Sequence, residues 1–116
     1  MLNRIVAVFW ATLIAVLSLL PNKVMPKIDW DMITPDKAGH FAFYGVLCVL
    51  VLRAAPLKYA AAAAVSCALY GVLMEYLQFY LTPDRMFEYP DMLANAIGCA
   101  AAYLVMWLFT RKKITE

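Results

Sequence analysis

Four long apolar stretches, separated by short polar segments, dominate the chain. They cover residues 4–20, 36–53, 57–81 and 90–110. A helix needs about 20 mostly apolar residues to cross a bilayer, with about 17 as the lower end. The pattern therefore predicts an all-α fold: an integral membrane four-helix bundle that forms a single domain over residues 1–116.

The segments between the stretches support this division. Residues 21–35 mix apolar side chains, including Trp30, with charges, which predicts a loop lying at the membrane interface. Thr34 followed by Pro35 suits the start of the second helix, and Pro90 suits the start of the fourth. No small-x-small cleavage site follows the first stretch, so we expect a retained anchor rather than a cleaved signal peptide.

Composition agrees with a membrane protein. Hydrophobic residues make up 66% of the chain and charged residues 16%, whereas soluble domains average about half and about a quarter. The net charge of +2, without a basic stripe, speaks against nucleic-acid binding. Cys48, Cys67 and Cys99 lie in apolar stretches without CxxC spacing, so we expect unpaired buried thiols, although a disulfide between two of them stays open.

The distribution of basic residues predicts the orientation. Lysine and arginine accumulate on the cytoplasmic side of membrane proteins. If the N-terminus is cytoplasmic, six basic residues fall on that side and four on the other, which predicts that both termini are inside. The six are Arg4, Arg53, Lys58, Arg111, Lys112 and Lys113, and the four are Lys23, Lys27, Lys37 and Arg85.

Polar residues form one stripe on each of helices two, three and four, since they recur every three or four positions. Counted from the outer helix ends, one residue of each stripe (His40, Glu75 and Asn95) lies at a common depth of roughly 8–9 Å. An ionisable side chain there costs about 2.5–3.5 kcal/mol and usually faces a bundle interior or a wet cavity. We therefore predict a polar pocket that opens to the outer leaflet. The stripes are Asp36, His40 and Tyr44 with Lys37 beside them; Gly71, Glu75 and Gln78; and Asp91, Asn95, Gly98 and Ala102.

Two kinds of chemistry fit these residues. Glu75 and His40 are candidate catalytic residues, as a general acid/base pair, and the alternative is a buried hydrogen-bond network that locks the helices together. A metal site on His40, Glu75 and Asp91 is a further option that fits less well, because the chain has one histidine and no HExxH spacing, so we expect no metal and no cofactor. The predicted ligand-binding residues are Asp36, Lys37, Tyr44, Gln78, Arg85, Asp91 and Asn95.

Individual ligand-binding residues leave alternatives open. Lys37 and Arg85 are suited to hold a lipid phosphate or a carboxylate, or else to pair with neighbouring surface acids. Asn95 is suited to bind a head-group, or else to satisfy Glu75 across a helix interface.

The motifs together resemble a known family. Asp36-Lys37-x-x-His40-Phe41-x-x-Tyr44, Gly71-x-x-x-Glu75-x-x-Gln78, Arg85 and Asp91-x-x-x-Asn95-x-x-Gly98 occur in the order and on the helices typical of VanZ-like proteins. The resemblance runs from Leu19 to about Ala102, where family members often carry a second glycine. It implies a small bacterial four-helix membrane protein similar to those that give low-level resistance to the glycopeptide teicoplanin. It implies no particular reaction.

Three functions remain open on these grounds. The first is binding of membrane lipids, a lipidated glycopeptide or a cell-wall lipid intermediate, from the outer leaflet of the bacterial inner membrane. The second is a small intramembrane hydrolase or transferase that acts on a lipid head-group. The third is a structural or assembly module without a ligand. The oligomeric state is also left open.

Overall fold

The computed structural model describes residues 1–20, 35–82 and 89–115, with side chains for 1–20, 38–82 and 89–110. These ranges contain four α-helices, a short 3₁₀ turn and no β-strand. The predicted interfacial loop lies mostly outside them. The helices are α1 (Leu2–Leu19), α2 (Pro35–Ala54), α3 (Ala60–Leu81) and α4 (Tyr89–Thr115), with the 3₁₀ turn at Leu57–Tyr59 before α3.

Prolines in the sequence set two of the helix ends. Leu20 follows α1 in an extended conformation (φ −71°, ψ 142°), and Thr82 follows α3 in a similar one (φ −116°, ψ 107°). Each of these residues precedes a proline, and a residue before proline disfavours the helical region of φ/ψ space. Helix α4 continues past the predicted end at residue 110, because no helix breaker follows and basic residues suit a helix C-terminus.

Three of the helices are long and apolar enough to cross a membrane: Leu2–Leu19, Leu57–Leu81 and Tyr89–Thr110. Within the described side chains, α2 contributes a shorter apolar stretch, Ala38–Ala54. Between 11% and 28% of the residues in the three spanning windows are buried in the protein. The remaining apolar surface needs an apolar surrounding, which a bilayer supplies. The predicted all-α membrane bundle is therefore confirmed.

Helix α2 is the centre of the bundle. It packs mainly against α4, and α1 lies against both α2 and α3. Trp10 of α1 stacks on Phe43 of α2 with ring centroids 5.3 Å apart, and its indole N–H donates to the Phe43 carbonyl oxygen at 2.9 Å. The core joins side chains from every helix: Ile14, Tyr44, Leu47, Cys48, Cys67, Met74, Cys99 and Ala102.

Helices α2 and α4 cross at backbone contact. A Cβ atom placed on Gly98 would overlap the carbonyl oxygen of Phe41 and would lie 3.2 Å from the Gly45 nitrogen. Glycine at this crossing lets the two backbones approach in the way that small residues serve membrane helix packing. The crossing lies between the polar end of the bundle and its apolar middle.

Candidate functional site

His40 joins the predicted stripes of α2 and α4. Its Nδ1 atom lies 2.9 Å from Oδ1 of Asn95, and its Nε2 atom lies 3.6 Å from Oδ2 of Asp91. His40 and Asn95, which were predicted to lie at the same depth, are therefore in direct contact. With Nδ1 donating to Asn95, the ring turns Nε2 towards the Asp91 carboxylate, at a distance suited to an ion pair rather than a hydrogen bond.

Burial around His40 is uneven. Asn95 is 1% exposed and Asp91 is 5% exposed, whereas the His40 side chain keeps 20% of its surface accessible. The imidazole thus has one edge held by buried partners and another part open to its surroundings. Such a ring is fixed in orientation and reachable from outside the bundle.

Tyr44 and Gly71 form the floor of the site. The Tyr44 ring, 2% exposed, lies parallel to the His40 ring at a centroid distance of 6.4 Å. A Cβ atom on Gly71 of α3 would lie 2.9 Å from the Asn95 side-chain nitrogen and 3.1 Å from Cε1 of Tyr44. The absence of a side chain at position 71 therefore leaves the space that the Asn95 and Tyr44 side chains occupy.

Glu75 lies one helical turn beyond Gly71 and is 2% exposed. It interacts electrostatically with Tyr44, so it belongs to the same buried polar group. The acid/base pair of Glu75 and His40 stays a prediction; His40 stacks on Tyr44, with which Glu75 interacts electrostatically. We define the polar cluster as His40, Tyr44, Glu75, Asp91 and Asn95.

Gln78 has a different partner from the one its stripe suggested. Its side-chain N–H donates to the Ser18 carbonyl oxygen of α1 at 2.8 Å. Thr82, one turn later, donates from its hydroxyl to the Leu19 carbonyl oxygen at 3.4 Å. The last carbonyls of a helix lack partners within that helix, so these two side chains cap α1. The predicted ligand-binding role of Gln78 stays a prediction.

A third tether from α3 to α1 involves a residue that the sequence analysis did not select. The Tyr70 hydroxyl donates to the Ala11 carbonyl oxygen at 2.6 Å. Tyr70 and Gln78 lie about two turns apart on α3, and Thr82 is the residue that follows the helix, so the three donors are distributed along the contact with α1. A tyrosine inside an apolar span was the available signal, because a buried hydroxyl normally has a hydrogen-bond partner.

Three of the predicted ligand-binding side chains, Asp36, Lys37 and Arg85, lie outside the described residues, so their proximity to the polar cluster stays a prediction. Among the described residues, no three His, Cys, Asp or Glu side chains are arranged to hold a metal ion together. The cluster, as described, offers an imidazole ring, carboxylates, a carboxamide and a phenol for hydrogen bonding and proton transfer.

Comparison with known proteins places this arrangement in a family. No curated protein and no solved structure matches the chain. A family model described as VanZ/LLP1 matches residues 4–110, from the start of α1 to the last apolar turn of α4. That range contains the whole polar cluster and all three tethers to α1, and the chain belongs to the VanZ/LLP1 family.

Proposed function

We propose that the polar cluster binds the head-group of a lipid or a lipidated amphiphile that reaches it from the outer leaflet of the bacterial cytoplasmic membrane. The observation that carries the proposal is the uneven burial of His40, whose ring is held by Asn95 and Asp91 yet keeps 20% of its side chain accessible. A ligand that approaches this end of the bundle meets a pre-oriented ring backed by buried hydrogen-bonding groups.

Energetics favour a ligand over simple helix attachment. Hydrogen bonds between membrane helices average about 0.6 kcal/mol each, whereas an ionisable residue within the bilayer costs about 2.5–3.5 kcal/mol to insert. Inserting His40, Glu75 and Asp91 therefore costs more free energy than their hydrogen bonds between helices contribute. A binding site accounts better for their presence at one end of the bundle.

The surroundings of the cluster suit an amphiphile. Tyr80 and Tyr89 are each 74% exposed near the outer ends of α3 and α4, where tyrosines of membrane proteins meet the lipid head-groups. In the sequence, Lys37 lies three residues before His40 and Arg85 lies six residues before Asp91. Their side chains supply cations for a phosphate or carboxylate. Acyl chains would lie along the apolar outer faces of the helices.

The proposed orientation places both termini in the cytoplasm. In support, the Asn3 side chain contacts the Arg53 carbonyl oxygen at 3.4 Å, so the start of α1 and the end of α2 share one end of the bundle. Arg4 and Arg53 are then on the same side, opposite the polar cluster, as the basic-residue bias requires.

Low-level teicoplanin resistance follows if the bound amphiphile is the lipid-tailed drug or the cell-wall lipid intermediate that it targets. The test expresses the chain in a susceptible bacterium and compares inhibitory concentrations of teicoplanin and of vancomycin, which lacks the lipid tail. We expect protection against teicoplanin alone, lost in His40→Ala and Asn95→Ala. Gly39→Ala is the matched control, because a methyl there meets nothing within 4 Å.

Two results would count against this proposal. Equal protection against both drugs would exclude a mechanism based on the lipid tail. Full protection by His40→Ala and Asn95→Ala, with normal amounts of protein in the membrane, would leave the structural or assembly role.

One observation favours an enzyme as the second candidate. His40 sits between an amide and a carboxylate, the kind of setting that orients an imidazole for proton transfer. Glu75 would then be its buried acid/base partner in a hydrolase or transferase acting on a lipid head-group. Glu75→Gln keeps the shape and removes the charge, so it would abolish turnover while head-group binding persists. Unchanged protection by this variant would exclude the acid/base role.

A further inference from the structure

Three thiols from three helices meet in the middle of the bundle. Cys48 of α2, Cys67 of α3 and Cys99 of α4 are 0%, 3% and 2% exposed, and all are free. Each thiol lies within interaction range of the other two. This thiol cluster borders the polar cluster at Tyr44, whose carbonyl oxygen contacts the Cys99 thiol, but the function proposed above does not use the thiols.

Cys48 and Cys99 face each other across the tightest helix crossing. The Cys48 thiol donates to the Cys99 carbonyl oxygen at 3.5 Å, and the Cys99 thiol donates to the Tyr44 carbonyl oxygen at 3.8 Å. Cys99 follows Gly98, where the two backbones are in contact, and Cys48 lies one turn beyond Gly45. A disulfide needs Cα atoms about 4.4–6.8 Å apart, which closely packed helices provide and widely spaced ones do not.

An apolar groove on the outside of the bundle reaches one member of this pair, Cys99. It lies between α3 and α4 and has a volume of about 300 Å³. Its walls are mostly alanine, and Cys99 is the one thiol that lines it within the described part of the chain. The lining residues are Ala61, Ala64, Val65, Ala68, Ala96, Cys99, Ala100 and Tyr103.

We propose that Cys48 and Cys99 form a redox-active dithiol that a lipophilic quinone oxidises to a disulfide from within the bilayer, through the α3–α4 groove. Two S–H bonds break and one S–S bond forms. The two electrons and two protons pass to the two quinone oxygens, which become the hydroxyl groups of the quinol. Cys67 stays a thiol beside the pair.

The chemical class of the oxidant follows from the burial of the site. The thiols are at most 3% exposed and flanked by apolar side chains, which disfavours a water-soluble oxidant. A quinone is apolar, dissolves in the acyl region, and takes up both electrons and both protons in one molecule. Thiol oxidation depends strongly on access, and the groove offers an apolar path to Cys99 from the outer surface of α3 and α4.

The experiment uses the reduced full-length protein in lipid nanodiscs, with decylubiquinone as the probe. After acid quenching, the chain is unfolded and alkylated with N-ethylmaleimide, and its intact mass is measured. We expect the main species to carry one adduct after quinone treatment and three adducts without it, with three restored by dithiothreitol. Three adducts after quinone treatment would overturn the proposal.

Cysteine variants identify the pair. Cys67→Ala should still form the disulfide, whereas Cys48→Ala and Cys99→Ala should form none. Alanine is close to cysteine in size, and circular dichroism checks that each variant is folded. Disulfide formation that requires Cys67 would overturn the assignment to Cys48 and Cys99.

Two alanine variants test the route. Ala100→Leu fills the groove beside Cys99, and Ala62→Leu is the matched control because Ala62 is exposed on α3 outside the groove. Oxidation by decylubiquinone should be about tenfold slower in Ala100→Leu and unchanged in Ala62→Leu. Equal rates in the two variants would overturn entry through the groove.

Discussion

Gly98 of α4 lies so close to Phe41 of α2 that a Cβ atom would overlap the Phe41 carbonyl oxygen. A backbone atom cannot rotate away as a side chain can, so a substitution here must separate the helices. We expect Gly98→Ala to lower the free energy of unfolding by about 1–3 kcal/mol, the usual cost of overpacking. Denaturation in mixed detergent micelles measures the change.

Gly45→Ala is the matched control for this prediction, since it changes the same residue type at the same crossing. Its Cβ atom would lie 3.6 Å from the Gly98 carbonyl oxygen, an ordinary contact distance. Alanine also favours a helix over glycine by about 0.8–1.0 kcal/mol. Gly45→Ala should be neutral or stabilising, and equal loss in both variants would contradict the asymmetry.

Gly71→Ala should disturb the polar cluster without touching His40. The new methyl group would lie 2.9 Å from the Asn95 side-chain nitrogen, so Asn95 must shift and its contact with His40 must lengthen. The chain contains a single histidine, which gives one set of imidazole NMR signals. Those signals should move in Gly71→Ala and stay nearly constant in Gly39→Ala, where the methyl group meets open space.

His40 and Asn95 should be energetically coupled. Coupling between polar side chains in membrane helices averages about 0.6 kcal/mol and reaches about 1.7 kcal/mol. A double-mutant cycle with His40→Ala and Asn95→Ala should give a value in this range. His40→Ala combined with Gln78→Ala should be additive within about 0.3–0.5 kcal/mol, because Gln78 bonds to α1 instead. Additivity in the first pair would show that the contact contributes nothing.

Tyr70→Phe should loosen α1. It removes the hydroxyl that donates to Ala11 and leaves the ring in place, which costs about 0.5–1.5 kcal/mol. Tyr80→Phe makes the same chemical change at a side chain that is 74% exposed and should leave the stability unchanged. Unfolding of both variants in detergent compares them, and identical stabilities would argue against the α1 tether.

The C-terminus should lie in the cytoplasm. A green fluorescent protein fused after residue 116 should fluoresce, and alkaline phosphatase fused there should be inactive, because phosphatase matures only outside the cytoplasm. A phosphatase fusion after residue 85 should be active, since the proposed orientation places the segment between α3 and α4 outside the cytoplasm. The reverse pattern would invert the orientation and move the proposed site to the inner leaflet.

Residue periodicity was sufficient to predict the helices and the matching level of His40 and Asn95. The apolar stretches located α1 to α4 within one or two residues at most ends, and counting along the helices placed His40 level with Asn95. Both results depend on rise and rotation per residue, which are fixed by backbone geometry.

The helix against which each polar face packs was less predictable from the sequence. Gln78 shares a stripe with Glu75 in the sequence, yet it bonds to Ser18 of α1, because neighbouring positions on one helix diverge by tens of degrees. The pairing of His40 with Asp91 depended on the contact between α2 and α4, which depends on Gly98. Helix-to-helix rotation is a property of the packed bundle and leaves little trace in periodicity.

The tethers from α3 to α1 also constrain the order in which tertiary contacts form during synthesis. The carbonyls of Ala11, Ser18 and Leu19 receive donors that lie 59 to 63 residues later in the chain. During synthesis α1 enters the membrane first and remains without these donors until α3 has followed it. The backbone contact between α2 and α4 forms later still, after α4 has entered the membrane. Insertion therefore proceeds from the N-terminus, whereas tertiary assembly is completed only when the last helix arrives, and nascent chains truncated before residue 89 lack the central α2–α4 crossing.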